Sequence, residues 1–528
     1  MLSFYLFISP KIYIYNRIEI EREVIISKKK SKLKLKMLLR TMAAASPRPP
    51  PSTSLTSQQP SASSPSQLPL RTIPGSYGWP LVGPLSDRLD YFWFQGPDKF
   101  FRTRAEKYKS TVFRTNIPPT FPFFGNVNPN IVAVLDVKSF SHLFDMDLVD
   151  KRDVLIGDFR PSLDFYGGLR VGVYLDTTEP KHAKLKNFAM ETLKRSSKVW
   201  LRELRSNLNI FWGTIESEIS KNGAASYVFP LQRCIFGFLC ASLAGVDVSV
   251  SPDIAESGWK TLNTWLALQV IPTTKLGVLP QPLEEILLHT WAYPSQIVAG
   301  NYKKLYDFID ENAGDCIRCG QEDFGLTREE AIHNLLFVMG FNAYGGFSVF
   351  LPSLIGRITG DSGLQERIRS EVRRVCGSGS DLDYKTVNEM ELVKSVVYET
   401  LRFSPPVPLQ FARARKDFQI SSHDSVFEVK KGELLCGYQP MVMRDGNVFD
   451  EPDEFKPDRY IGQTGSELLD YLYWSNGPQT GTPSAANKQC AAKDMVTLTA
   501  SLIVADLFLR YDSITGDSGS IKSVVKAT

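Results

Sequence analysis

Apolar residues recur at helical spacing over long parts of the chain, a pattern that favours α-helix. Five spans carry it, at residues 181–204, 295–312, 327–358, 363–375 and 387–403. Shorter runs of β-branched residues, at 131–135 and within 418–434, predict a few strands or hairpins. Since no repeat or low-complexity linker interrupts this part of the chain, we predict one mainly α domain with a minor β part, spanning residues 73–528.

The first 72 residues differ from the rest in charge and composition. No acidic residue occurs between Glu23 and Asp87, and residues 42–68 are dominated by Ala, Ser, Thr, Pro and Gln. Such a segment is too polar to build a core, and its basic, serine-rich character matches a plastid transit peptide. We therefore predict an N-terminal extension at residues 1–72 and a chloroplast location.

Two internal methionines, Met37 and Met42, precede the polar segment, and either is a plausible translation start. The apolar run before them, residues 2–8, is followed by Lys11 and is far shorter than the roughly 20 residues that span a bilayer. We therefore predict no transmembrane helix, and at most a peripheral association with a plastid membrane.

The composition is that of an ordinary globular enzyme. Of the 528 residues, 43% are hydrophobic and 22% charged, with a formal net charge of only +4, so no nucleic-acid partner is indicated. The seven cysteines are an odd number scattered along the chain, which argues against a secreted disulfide framework and for a reducing compartment.

Three polar elements near the C-terminus stand in a distinctive order. Glu399 and Arg402 share one face of a predicted helix that a proline-rich segment ends, and this pair alone would indicate only a weak surface ion pair. Arg459 follows within FKPDRY, residues 455–460. Cys490 follows within NKQC and precedes a helix predicted from about Ala491 to Leu509.

This order resembles the haem-thiolate cytochromes, the P-450 superfamily. The resemblance implies a P-450-type fold in which Glu399, Arg402 and Arg459 form a buried three-way salt bridge that holds the cysteine loop in register. It also implies that Cys490 is the axial ligand of the iron of haem b. A cysteine that opens a helix gains stabilisation of its thiolate from the helix dipole and backbone amides.

Two departures from the superfamily pattern narrow the interpretation. The residues Pro483, Ala486, Lys488 and Ala492 stand where most members carry Phe, Gly, Arg and Gly around the ligand. In addition, the helix predicted over 327–358 has no acidic residue between Glu330 and Asp361. Dioxygen activation requires proton delivery from an acid–alcohol pair, so a conventional monooxygenase with a reductase partner is disfavoured.

These departures resemble the plant hydroperoxide-metabolising branch, which comprises allene oxide synthases, hydroperoxide lyases and divinyl ether synthases. Shared motifs are NKQC, the Phe-Asn-x-aromatic-Gly-Gly run at 341–346 and Glu-Pro-Lys-His at 179–182, and the resemblance extends from Leu70 onward. Within the branch the chain is most similar to the fatty-acid hydroperoxide lyases.

The resemblance implies a lyase of oxylipin metabolism. It would cleave the O–O bond of linolenic or linoleic acid 13-hydroperoxide homolytically, and a hemiacetal would then split into a six-carbon aldehyde and a 12-carbon ω-oxo acid. Dioxygen, NADPH and a reductase are not consumed. Allene oxide synthase is the alternative, followed by a conventional monooxygenase and by a haem-binding protein without catalysis.

The resemblance also assigns the side chains around the haem. Lys151, His182, Lys186 and Lys488 are expected to hold the haem together with Cys490. For Lys151 and Lys186 the alternative is a solvated helix face.

Three further residues are expected to contact the substrate or control the products. Asn342 would orient the hydroperoxide, because an amide hydrogen-bonds without relaying protons. Ser348 resembles a substrate contact, with back-bonding to its own helix as the alternative. Leu155 stands where the allene oxide synthases tend to carry Phe, and a leucine without a π-system should favour hydroxyl return and chain cleavage. A plain core role for Leu155 is the alternative.

Overall fold

The structure is a computed structural model that describes residues 68–120, 124–277, 279–377 and 382–527. The predicted transit segment and both candidate start methionines lie outside these residues. Helices dominate the described chain, and three small sheets lie among them, so the predicted mainly α class with a minor β part is confirmed.

The helices of the first part of the chain are α1 (Val82–Leu89), α2 (Pro97–Tyr108), α3 (Val137–Ser141), α4 (Pro180–Ser196), α5 (Trp200–Asn222), α6 (Val228–Leu239), α7 (Pro252–Val270), α8 (Leu283–Leu288) and α9 (Ala299–Asn312). Those of the second part are α10 (Gly314–Phe324), α11 (Arg328–Phe337), α12 (Gly345–Thr359), α13 (Ser362–Cys376), α14 (Tyr384–Asn388), α15 (Glu391–Phe403), α16 (Gln439–Val442), α17 (Gly462–Glu467) and α18 (Lys493–Arg510).

The strands are β1 (Leu70–Arg71), β2 (Val112–Asn116), β3 (Asn130–Val134), β4 (Val149–Asp150), β5 (Ala225–Ser226), β6 (Leu409–Ala414), β7 (Phe418–Ser421), β8 (Val426–Val429), β9 (Leu434–Tyr438), β10 (Tyr511–Gly516) and β11 (Ser520–Lys526). The largest sheet has the order β2-β3-β9-β6-β4, in which β3 and β9 pair in parallel and the other neighbours are antiparallel. The two smaller sheets have the orders β1-β8-β7 and β10-β11-β5. Strand β1 lies just before the predicted domain boundary, paired in parallel with β8.

Two of the predicted helices are interrupted. The span predicted as 181–204 ends as α4 at Ser196 and resumes as α5, and the span predicted as 387–403 is divided between α14 and α15. The second break has a visible cause, because the Glu371 carboxylate accepts hydrogen bonds from the backbone N–H groups of Leu392 and Val393 and so caps α15. A side chain from α13 therefore fixes this start, which local periodicity does not reveal.

A single long helix, Arg328–Thr359, runs through the core and combines α11, a π-helical segment at Val338–Tyr344, and α12. Thr327 and Glu330 form a capping box at its start. By length and composition it is the one helix of the described chain that could cross a membrane, but 67% of that apolar window is buried within the fold. The largest hydrophobic cluster packs around this helix, so its apolar composition reflects a central position in the core.

Candidate active site

The Glu399 carboxylate lies between two guanidinium groups. Arg402 donates to both of its oxygens, at 2.7 and 2.8 Å, and Arg459 donates to the same oxygens at 3.0 and 3.1 Å. The Glu399 and Arg402 side chains are fully buried and that of Arg459 is nearly so. The structure thus brings together the three residues that the sequence places in a salt bridge.

The remaining donors of the two arginines bind backbone carbonyls. Arg402 donates to Met443, Pro452 and Glu454, whereas Arg459 donates to the oxygens of Asp450, Glu451 and Glu454. These bonds fasten the irregular segment 443–454 to α15. A buried charged group keeps its stability only with such complete hydrogen bonding, so the cluster fixes the chain before the cysteine loop.

Cys490 sits in the loop that precedes α18. Its N–H donates to the Ser475 carbonyl at 2.9 Å, and its own carbonyl accepts from the Lys493 N–H at 3.2 Å. The helix begins at Lys493, two residues later than predicted, because residues 491 and 492 form a turn. Burial raises the pKa of the Cys490 thiol, while the Lys186 ammonium and the Ala492 N–H lower it. The thiolate therefore depends on cationic partners, as a metal ligand does.

Positive charge is concentrated around this loop. Burial lowers the pKa of Lys151 to about 7 and that of Lys488 to about 7, and repulsion from the other lysines adds to both shifts. The pKa of Lys186 falls to about 8 and that of His182 to about 4, again chiefly through burial. Among the described residues, no carboxylate lies within ion-pair distance of these four side chains. Such a cluster is costly unless an anion neutralises it.

The lysines are held by neutral oxygens. Lys488 donates to the carbonyls of Gly172 and Leu175, at 2.9 and 2.7 Å, and to that of Val173 at 3.2 Å. The Lys186 ammonium donates to the Gln489 carbonyl. Carbonyl oxygens orient an ammonium group but leave its charge uncompensated.

His182 and Lys186 lie one turn apart on α4, where a helix places two side chains on the same face. His182 is buried, and its Nδ1 has no hydrogen-bond partner within the protein. Lys184 on the intervening face is exposed. The predicted alternative of a solvated helix face therefore describes Lys184, whereas Lys151 is buried and Lys186 is half-buried.

Asn476, which the sequence interpretation did not single out, joins these elements. It accepts from the Lys151 ammonium at 2.6 Å and donates to the Lys488 carbonyl at 2.9 Å. Its backbone has a positive φ of 60° and is followed by Gly477. An Asn-Gly pair is a sequence signal for such a turn, so Asn476 could have been recognised as a turn residue, although its contact with Lys151 could not.

The predicted substrate contacts lie on the long helix. Asn342, within the π-helical segment, has an exposed side chain for which the described chain shows no hydrogen-bond partner. Ser348 has a buried hydroxyl that is also without a partner, so the back-bonding alternative is not seen at this residue. A Cβ built on the neighbouring Gly346 would meet no atom within 4 Å. Two polar groups beside open space are available to a ligand.

Leu155 and Ile156 pack in different directions. Leu155 is half-buried against the cluster that surrounds the long helix, whereas Ile156 packs against the cluster formed with the β2-β3-β9 side of the sheet. Leu155 also forms an isolated β-bridge with Gly157. The structure therefore places Leu155 on the side of the core helix that carries Asn342, which is compatible with either of its predicted roles.

Together the thiol, the unneutralised cations and the unpaired His182 nitrogen fit a haem with anionic propionates. Cys490 would ligate the iron, and Lys151, His182, Lys186 and Lys488 would serve the carboxylates. The fold and the site thus define a haem-thiolate protein.

Comparisons with known proteins agree. The family described as Cytochrome P450 matches residues 172–480. "Linolenate hydroperoxide lyase, chloroplastic" of Arabidopsis thaliana is 90% identical over 477 residues, which are 90% of this chain and 97% of that one. "Probable inactive linolenate hydroperoxide lyase" of the same organism is 90% identical over 383 residues, 72% of this chain and all of that one. "Allene oxide synthase, chloroplastic" of Arabidopsis thaliana is 44% identical over 456 residues, 86% of this chain and 87% of that one.

The chain belongs to the cytochrome P450 family, in the branch that contains hydroperoxide lyases and allene oxide synthases. The predicted resemblance and P-450-type fold are therefore confirmed, and the lyases are nearer relatives than the allene oxide synthase.

Proposed function

We propose that this protein is a fatty-acid hydroperoxide lyase that converts 13-hydroperoxides of linolenic or linoleic acid into a six-carbon aldehyde and a 12-carbon ω-oxo acid. The observation that carries the proposal is the long helix Arg328–Thr359, which has no carboxylate after Glu330 but presents the unpaired Asn342 amide. The 90% identity to a protein named linolenate hydroperoxide lyase supports the same conclusion.

When bound, haem b with a cysteine thiolate supplies homolytic cleavage of the substrate O–O bond and return of the hydroxyl group. Asn342 donates a hydrogen bond to the hydroperoxide and orients it without giving up a proton. Ser348 offers a second donor on the same helix. Because these side chains supply no titratable acid, the hydroperoxide is rearranged without net oxidation, and the resulting hemiacetal divides into two carbonyl products.

Leu155 is proposed to direct the product outcome. A leucine gives the carbon radical bulk but no aromatic face, so hydroxyl return competes well with the electron and proton loss that would give an allene oxide. The packing of Leu155 against the core cluster around the long helix supports a position near the reacting chain.

The deciding experiment is mass spectrometry of the products from linolenic acid 13-hydroperoxide. Haem-loaded protein, kept anaerobic and without NADPH, should give the aldehyde and the oxo acid. Ketols would indicate an allene oxide synthase, and a strict need for dioxygen and a reductase would contradict the proposal.

A second candidate is a haem protein without turnover. The identity of 90% to a relative named probable inactive linolenate hydroperoxide lyase favours it, although that shorter relative matches only 72% of this chain. The same assay separates the candidates, because fully haem-loaded protein that leaves the conjugated-diene absorbance of the substrate unchanged would support the inactive form.

We further propose a plastid location with peripheral attachment to a membrane, and no reductase partner. The relatives named above as chloroplastic support the location. Import of the full chain into isolated chloroplasts, followed by alkaline washing of their membranes, tests both points, since a peripheral protein is released by the wash.

A further inference from the structure

Helix α8 has its polarity reversed relative to a helix on a water-facing surface. Its acidic residues Glu284 and Glu285 are buried, whereas Leu283, Ile286 and Leu287 are exposed. A surface helix in water places its apolar stripe toward the core and its charges outward. Here the spacing of three and four residues puts an aliphatic stripe on the outside.

Internal contacts fix this orientation. Glu284 accepts from the backbone N–H groups of Leu276 and Gly277, each at 3.0 Å. Glu285 accepts from His289 Nδ1 at 2.9 Å and from Arg88 Nε at 2.5 Å. Turning the helix over would strand these buried charges, so the aliphatic stripe remains outside.

The segment around α1 repeats the pattern. Arg88 is the buried partner of Glu285, and Phe92 stacks on the His289 ring with centroids 4.0 Å apart. These contacts hold the two segments side by side. Their outward apolar residues, each between 39% and 82% exposed, are Trp79, Leu81, Val82, Leu85, Trp93, Phe94, Leu283, Ile286, Leu287 and Trp291.

Most of the large exposed apolar side chains of the described residues belong to this set, which we call the reversed surface. The sequence from 276 to 302 contains no Lys, Arg or Asp, and its only acids are the buried Glu284 and Glu285. The outward side of α8 is therefore apolar and uncharged. Tryptophans accompany aliphatic residues on both segments, a composition typical of the interface between hydrocarbon and lipid head groups.

We propose that the reversed surface docks onto a lipid bilayer by shallow insertion of its apolar side chains. The proposal deepens the peripheral attachment proposed above and rests on it. Because the outward side of α8 carries no charge, insertion is driven by apolar burial and does not require anionic lipid. A cleft lined by Ala292, Phe124 and Phe159 opens next to Trp291, so a fatty-acid derivative dissolved in the bilayer has an opening close to the docked surface.

The test is flotation of the haem-loaded full chain with phosphatidylcholine vesicles at low and high salt. The wild-type protein should float equally in both, because screening does not weaken apolar insertion. The double variant Ile286→Ser/Leu287→Ser should bind at least about tenfold more weakly. Ile210→Ser on α5 is the matched control, since Ile210 is 67% exposed on another helix, and it should float like the wild type.

A second variant, Phe94→Ser, tests the α1 side of the surface independently. All variants should retain haem and turn over dispersed substrate, which shows that they are folded and separates docking from the proposed lyase activity. Double-variant binding equal to wild type would overturn the reversed surface while leaving membrane attachment intact. No binding by wild-type protein would remove attachment as well, and a wild-type dimer that the double variant abolishes would assign the surface to a second copy of the chain instead.

Discussion

Lys151 and Asn476 are 325 positions apart in the chain, yet the Lys151 ammonium donates to the Asn476 amide oxygen at 2.6 Å. This bond joins the end of β4 to the cysteine loop. It leaves the lysine with a neutral partner, and the neighbouring Lys488 further disfavours its charge. A buried cation in this state is poised to accept an anionic ligand.

We therefore expect haem binding at about pH 8 to be coupled to proton uptake at Lys151. Burial lowers its pKa to about 7 in the haem-free protein, and a propionate partner would raise it again. Since the haem-bound state holds more protons, haem affinity should fall between about pH 7 and 9, by up to about tenfold per pH unit. Calorimetry in two buffers of different ionisation enthalpy measures the uptake.

The matched variants are Lys151→Met and Lys184→Met, because Lys184 is exposed on the adjoining helix. The first should lose this share of the proton uptake and the second should keep it. Without haem, the wild type should also become more stable as pH rises above about 7, because the unfolded chain keeps its lysine proton up to about pH 10.4. Equal proton uptake in wild type and Lys151→Met would remove Lys151 from the haem site.

Glu399 should be more sensitive to replacement than either arginine beside it. Glu399→Gln leaves two buried guanidinium groups facing a neutral amide, and we expect a loss of about 3–5 kcal/mol of unfolding free energy. Arg459→Met should cost less, because the Glu399–Arg402 pair survives. Urea unfolding of the haem-loaded variants measures both. Arg367→Ala, which breaks the half-exposed pair with Asp458, is the control and should cost no more than about 1 kcal/mol.

Replacing the expected axial ligand should remove the haem-thiolate signature. Cys490→Ser lacks the sulfur that would bind iron, so we expect loss of the thiolate-type absorption spectrum together with turnover. Cys316→Ser is the control, because that half-buried thiol lies on α10 near Thr192. A haem-loaded Cys490→Ser protein that keeps wild-type activity would contradict the assignment.

Asn342→Ala should slow turnover without disturbing the fold. The described chain shows no partner for this amide, so its removal breaks no hydrogen bond of the free protein. Loss of one buried hydrogen bond to substrate, about 1–3 kcal/mol, corresponds to roughly 5- to 150-fold in kcat/KM. Asn301→Ala, on the exposed side of α9, controls for removal of an exposed amide. Unchanged kcat/KM in haem-loaded Asn342→Ala would exclude the proposed role.

Leu155→Phe should shift products from aldehyde toward ketols, which form when an allene oxide hydrolyses. An aromatic face beside the radical would prolong its lifetime and favour loss of an electron and a proton. Ile156→Phe is the matched control, because Ile156 packs against a different cluster. Product analysis by mass spectrometry decides, and unchanged products from a haem-loaded Leu155→Phe enzyme would leave Leu155 a core residue.

The fold class and the Glu399 cluster could be predicted because their signals are local or ordered along the chain. Helical periodicity shows a mainly α fold, and the order of Glu399, Arg459 and Cys490 is carried by short motifs. The break before α15 could not be predicted, since it depends on Glu371 from another helix. Tertiary contacts of this kind override local pattern.

The environment of the cations was likewise beyond the sequence. A lysine in a polar stretch is normally solvated, so the difference between Lys184 and Lys186 depends on how α4 faces the cysteine loop. The reversed polarity of α8 also has no local signal, because its two acids look like an ordinary helix start until Arg88 and the backbone of Leu276 are seen beside them.

Strand β1 limits where a plastid leader can be cut. Leu70 and Arg71 pair in parallel with Val426 and Phe427, and the Val426 N–H also donates to the Pro69 carbonyl. A processing protease that cut after Arg71 would strip this strand and leave one edge of β8 open to pairing with another chain. Maturation of the imported precursor should therefore end upstream of Pro69, and N-terminal sequencing of the mature protein would read through the segment that completes the sheet.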